Sequence, residues 1–203
     1  MEKDGHQAIT KKIGRRLSTP WGLTKTQIST LIAANLDSDK IQNRSAIHFD
    51  NCAFREGSGR INRCWHRIFT ESDRFSEKSL KAFGRLLHTV QDFYSHSNWI
   101  ELHRGVSPIP LWNLNPVSLP AGICSGTWKE GKPKRCKRGT PSHDRLNKDN
   151  RLSHSGKVIL SKGPNKGRSY HELAVETAYR ASVVELKKFL TGVSGKANID
   201  ILL

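Results

Sequence analysis

No segment of the 203-residue chain is long and apolar enough to cross a bilayer; only 35% of its residues are hydrophobic. The first residues, MEKDGHQAITKK, have no apolar h-region, so no Sec signal is visible. These shortages leave three expectations for location: the cytosol, export by a non-Sec route as a secreted or delivered effector, or a fragment of a larger secreted protein. Acidic residues are also scarce, 18 Asp plus Glu against 34 Lys plus Arg, for a net charge of +16. Such a surplus favours anionic partners, whether phosphate esters, nucleic acid or an anionic membrane, without specifying a site. Aromatic residues make up 7% of the chain and lie mostly at core positions, which counts against a base-stacking platform. CxxC spacing is absent, which argues against a zinc finger or a thioredoxin motif. The four cysteines instead fall at equal spacings, Cys52 with Cys64 and Cys124 with Cys136. Two local disulfides are the expectation, suited to a protein working outside a reducing cytosol; four reduced thiols are the alternative.

The pattern that is present has a helical period. Ile9, Ile13 and Leu17 mark a short amphipathic helix over 8–17, ended by a break at Pro20 and Gly22. Further helices are expected over 24–34, 57–69, 76–96 and 171–190, with a polar loop after the second. Nothing alternates with period two, so the fold class is all-α, one domain over 1–203. Residues 105–168 stand apart, rich in Pro, Gly, Lys, Ser and Asn and without period, an irregular insertion before the last helix. A loop of that length in a compact domain is usually functional or disordered.

The most informative stretch is LHTVQDFYSHSNW, where His88, Asp92 and His96 recur every fourth residue. On a helix all three stack on one face. Two imidazoles and a carboxylate so placed suit a divalent metal, and the carboxylate is positioned to bridge two ions. Similar residues gather in the flanking segments: His6 before the first helix, Asp37 and Asp39 after the second, His48 and Asp50 in IHFDN, and His171 at the start of the last helix. Asp50 caps the turn or stands behind His48, orienting its ring. His66, His103, His143 and His154 are taken as surface or loop residues, and Trp99 as core. Asp149 in LNKD receives no role.

The segments GHQAIT, NLDSD, HFDNCAF, FGRLLHTVQDFYSHSNWIELH, LNKD and HELAVETA together resemble the fungal heterokaryon-incompatibility protein Het-C. They are similar also to the related N-terminal domain of von Willebrand A-domain proteins and to bacterial toxins. More remotely, the resemblance extends to the zinc-dependent phospholipases C and single-strand zinc nucleases, all-helical enzymes with three clustered zinc ions. It implies a metal-dependent phosphoesterase that hydrolyses phosphate esters with metal-activated water. The implied metal ligands are His6, Asp37, His48, His88, Asp92, His96 and His171, with Asp37 and Asp92 catalytic and Asp39 the fallback for Asp37. Zinc is the implied ion, with manganese or magnesium as alternatives.

The chain departs from the phospholipases in two places. No Trp stands near His6, which leaves a third ion short of a ligand. Val175 occupies the position where those enzymes place a carboxylate four residues after the last histidine, with Glu172 and Glu176 flanking it. One firm site is expected from Asp37, His48, His88 and Asp92, and a partial one from His96 and His171. Basic residues within 129–138 are expected to draw substrate in. The resemblance further implies a toxic effector and, with it, an immunity protein as partner. Two other readings stay open: a nuclease of the same superfamily, and a non-catalytic membrane-perturbing module whose metals serve only the fold. The resemblance implies a phospholipid or a nucleotide as the phosphate-ester substrate.

Overall fold

The computed structural model describes residues 1–128 and 136–192, and for residues 18–21 the backbone alone. Among the described residues it is all-α, with no strand, only isolated bridges. Eight α-helices run in chain order: α1 Lys3–Trp21, α2 Lys25–Asp39, α3 Ser45–His48, α4 Phe54–Thr70, α5 Glu77–His96, α6 Trp99–His103, α7 His143–Leu146 and α8 Tyr170–Thr191. The five long helices match the periodic segments, all but α5 extended at one or both ends. α1 runs through Pro20 and ends at Gly22, whose φ of 66° supplies the left-handed cap that glycine adopts without strain. α2 opens with a Thr24–Gln27 capping box and runs to Asp39, through residues expected to be loop.

α5 is the axis of the bundle, packed against α2, α4 and α8, while α1 packs on α2 and α8. From Leu86 to His96 every side chain is buried, so this is a core helix rather than a surface one. Phe83, Leu87, Val90 and Tyr94 supply the apolar faces, and Phe83 stacks on Phe189 of α8 at 4.4 Å between ring centroids. Gly84 lets the α2 backbone approach closely, since a Cβ there would collide with the Leu31 carbonyl oxygen. That approach brings the end of α2 over the turn of α5 that carries His88.

The described residues of 105–168 contain two short helical turns, Pro116–Ser118 and α7, and are otherwise irregular yet anchored. Lys148 is fully buried and its Nζ donates to Ser97 O, Leu146 O and Glu101 Oε1, each at 2.9 Å. Asn165 donates to the carbonyls of Arg104 and Val106. Three acceptors around one buried ammonium tie this region to α5 and α6, offsetting the cost of burying the charge.

The cysteines are not paired locally. The bridge joins Cys52 to Cys136, with Cα atoms 5.2 Å apart, while Cys64 and Cys124 are free thiols. The Cys52–Cys64 expectation fails because α4 begins at Phe54 and carries Cys64 roughly 15 Å along its axis. Bridgeable Cα atoms lie within about 7 Å. With Cys136 taken by Cys52, Cys124 has no partner.

Candidate metal centre

The site is assembled around the Asp92 carboxylate, buried on the inner face of α5. Its two oxygens face different partners. Oδ2 lies 2.7 Å from His48 Nδ1 and 2.9 Å from His88 Nε2, and those two nitrogens are 3.3 Å apart. Oδ1 lies 2.9 Å from His6 Nε2 and 2.9 Å from the Met1 α-amino group, with His96 Nε2 at 3.9 Å. One helical turn on, His96 Nε2 meets Asp149 Oδ1 at 3.0 Å, and Asp149 also accepts from the Met1 amino group at 2.7 Å. His143 Nδ1 stands 3.0 Å from Asp50 Oδ1, and the Trp128 indole donates to Asp50 Oδ2 at 2.7 Å.

The outer nitrogens decide what the inner ones can do. His48 Nε2 donates to the Ile41 carbonyl at 3.1 Å, His96 Nδ1 to the His48 carbonyl at 3.0 Å, and His6 Nδ1 to Gln91 Oε1 at 2.7 Å. Each acceptor lacks a proton, so each ring spends its N–H outward. In the neutral tautomer the inner nitrogen is then a lone pair aimed at a carboxylate oxygen, an arrangement that requires a cation or a second proton between them. His6 Nε2 has no aligned hydrogen bond despite its 2.9 Å approach to Asp92, and His88 Nδ1 is buried without a partner. Outward donation to a carbonyl or amide is how metal-ligating histidines are oriented. The spacings of 2.7–3.3 Å within the His48, His88 and Asp92 trio are close to the about 3.3 Å separating ligands of a tetrahedral ion with bonds of about 2.0–2.1 Å. The donor set fits a divalent metal.

With protons alone, the cluster is electrostatically tense. Burial opposes the charge on Asp92, yet the Met1 ammonium and the surrounding histidines outweigh it and hold the carboxyl well below its usual range. Asp149 behaves the same way. Burial drives His88 down to about 3 despite Asp92 beside it, so this ring is neutral, as a metal ligand must be. Burial opposes the charge on His48, but its bond to Asp92 and the charges of Asp92 and Asp50 together outweigh it and raise the pKa. His143 is raised to about 9, Asp149 and Asp50 together overcoming its burial.

The local chain shape that delivers these groups is unusual. Phe49, Asn51 and Cys52 all have φ between 54° and 58°, a left-handed conformation costing roughly 1–2 kcal/mol each. They turn His48 and Asp50 toward the same interior. The irregular region holds them there: Ser125 Oγ accepts from Cys52 N at 2.8 Å and donates to the Phe49 carbonyl, and Gly126 O accepts from Asn51 N at 2.8 Å. Trp128 N donates to Asn51 Oδ1 at 3.0 Å, and the Cys52–Cys136 bridge closes the clamp. Strain kept in place by surrounding structure is characteristic of functional sites.

The structure thus brings together His6, His48, His88, Asp92 and His96. It does not bring in Asp37, whose carboxylate is 61% exposed and paired with Lys40 Nζ at 2.7 Å. Asp39, two residues on, is the α2 carboxylate whose oxygen groups with His48 and His88. His171 Nδ1 instead donates to the Lys148 carbonyl at 2.9 Å, outside every ligand grouping among the described residues. Glu172 caps α8 and Glu176 pairs with Arg168, so neither stands in for the carboxylate absent at Val175. His143, taken as a loop residue, is buried beside Asp50 and stacked on Trp128, and Asp149 joins His96. The Met1 amino group accompanies His6 at Oδ1. Of the basic residues within 129–138, residues 129–135 lie outside the described residues; Lys137 and Arg138 are exposed.

A sequence model of the VWA7 N-terminal domain matches residues 9–111. The chain belongs to the VWA7 N-terminal domain family. The matched span includes Asp39, His48, Asp50, His88, Asp92 and His96, and leaves His6, His143 and Asp149 outside it. No curated protein and no solved structure matches the chain.

Proposed function

We propose that this domain is a metal-dependent phosphoesterase, built around divalent ions held by Asp92 and its histidines. The observation that carries the reading is the division of Asp92, one oxygen facing His48 and His88 and the other facing His6. A carboxylate with separate nitrogen donors at each oxygen is suited to join two ions. The donor groups that would hold them are Asp39 with His48 and His88, Asp92 with His6 and His88 or with His48 and His96, and Asp50 with His96 and His143, Asp149 standing beside His96. Bound zinc or manganese supplies Lewis acidity toward a phosphoryl oxygen and lowers the pKa of water toward neutrality.

The protein's own groups then have assigned work. Asp39, half-buried at the end of α2, takes the general-base position expected of Asp37, since it alone of the pair reaches the histidines. His143, protonated at neutral pH and held between Asp50 and Asp149, is placed to give a proton to a departing alkoxide. The burial of Asp92, His48 and His88 excludes competing water from the ligands. The likeness of HTVQDFYSHSNW to Het-C and to the zinc phospholipases supports the same chemistry, and the Cys52–Cys136 bridge suits an effector acting in an oxidising compartment.

The deciding experiment assays purified protein, reconstituted with zinc or manganese, against phosphomonoester and phosphodiester panels, alongside His88→Ala and Asp92→Asn. Turnover in the wild type, lost in both variants while circular dichroism is unchanged, is the expected result. Metal binding without turnover on any ester would overturn the catalytic reading and favour metals that serve only the fold.

A further inference from the structure

Beside the metal centre, the outer faces of α4 and α5 close with residues 38–47 around a cleft of about 320 Å³. Its walls carry Arg44, Arg60, Arg63, Arg67 and Arg85. Arg60, Arg63 and Arg67 sit at helical spacing on α4, so one face of that helix presents all three. Arg44 comes from the residue before α3 and Arg85 from α5. None of the five forms an ion pair among the described residues, and the one acidic lining residue, Asp37, is engaged by Lys40. Arg60 is held in place by Thr89 Oγ1, which accepts from its Nε at 3.1 Å.

Five guanidinium groups around one concavity repel each other, and the one carboxylate among the described lining residues, that of Asp37, is already paired with Lys40. Burial lowers the Arg60 pKa, and the charges of Arg85, Arg63 and Arg44 add to that, though the Cys64 thiol opposes them. An anion in the cleft would relieve this repulsion. The choice of arginine at all five positions, in a chain that uses lysine freely elsewhere, points to planar, bidentate recognition of oxyanions. No aromatic side chain lines the cleft for bases to stack on. Its volume matches small-molecule sites, roughly 300–1,000 Å³. No histidine of the metal centre lines it.

We infer that this arginine cleft binds a phosphate-bearing anion carrying two or more negative charges, as a site separate from the Asp92 cluster. The site does not rest on the metal reading and stands or falls on its own. Inorganic pyrophosphate, titrated calorimetrically into the full chain with chelator present, binds saturably at one site per chain. Arg63→Gln with Arg85→Gln weakens that binding about tenfold or more, as expected for charge-assisted bonds. Both side chains are exposed, so the fold is retained, which circular dichroism checks. Lys157→Gln with Lys162→Gln removes the same charge from the exposed part of the irregular region and leaves affinity near wild type. Sedimentation with phosphatidylcholine vesicles, with and without phosphatidic acid, then names the source. Vesicle binding lost with the arginine pair indicates a lipid headgroup, and its absence indicates a soluble phosphate, the site standing in both cases. The inference is overturned if pyrophosphate does not bind saturably. Equal loss in both double variants, which would reveal general attraction to a +16 chain, overturns it too, as does loss in His88→Ala alone.

Discussion

Arg85 and His88 lie within one turn of α5, yet the two regions they serve treat charge in opposite ways. Around His88 charges of both signs are buried together, with three carboxylates facing five imidazoles and an amino group at hydrogen-bonding distances. Around Arg85 one sign accumulates at the surface with no ion pair among the described residues. The buried region gathers histidine nitrogens and carboxylate oxygens into groups of the kind that hold a cation. The open region has too many guanidinium groups and calls for an anion. Net charge alone would have assigned the whole molecule to the second class.

The contrast can be broken first at Asp92. Asp92→Asn leaves the Met1 ammonium and the histidines without their counter-charge, and a buried ionic group stripped of its partner costs about 3–5 kcal/mol. Urea denaturation should show a loss of that size, whereas the Arg63→Gln, Arg85→Gln double variant should unfold at or above the wild-type midpoint. Removing metal is the next largest perturbation. A ligand present at 100 times its Kd stabilises by about 2.7 kcal/mol, so dialysis against chelator should lower Tm and re-addition of zinc should restore it. The clamp on the His48–Asp50 turn gives a comparable effect: reduction of the Cys52–Cys136 bridge should cost about 2–4 kcal/mol. Intact-mass analysis after alkylation without reductant should find two free thiols, Cys64 and Cys124.

The smallest expected effect lies outside both regions. Glu185 is buried and accepts from the Trp65 indole at 2.9 Å, and burial raises its pKa. Its folded pKa therefore exceeds the unfolded one, and the folded state holds the proton more tightly. Stability should rise as pH falls through the folded value and level off below the ordinary carboxylate range. Glu185→Gln should flatten that slope in acid-side denaturation curves while leaving metal binding unchanged.

The helices were legible because their period survives in sequence. His88, Asp92 and His96 fall on one buried face of α5 as their fourfold spacing requires. Asp39 was harder, since two residues on a helix amount to about 200° of rotation, and only the full length of α2 shows which aspartate points inward. His143 left no local signal. It reaches Asp50 because Gly126, where a Cβ would strike the His143 backbone, lets two irregular segments touch. The cysteine pairing failed for a similar reason, equal spacing carrying no information once a helix intervenes between Cys52 and Cys64.

Elemental analysis of purified wild-type protein beside Asp92→Asn tests the central claim most directly. One or more zinc or manganese ions per chain in the wild type, and none in the variant, is the predicted result. A wild-type chain that holds no divalent metal even after reconstitution would contradict it, and would leave the charge of Asp92 balanced by the Met1 ammonium and its hydrogen-bonded neighbours alone.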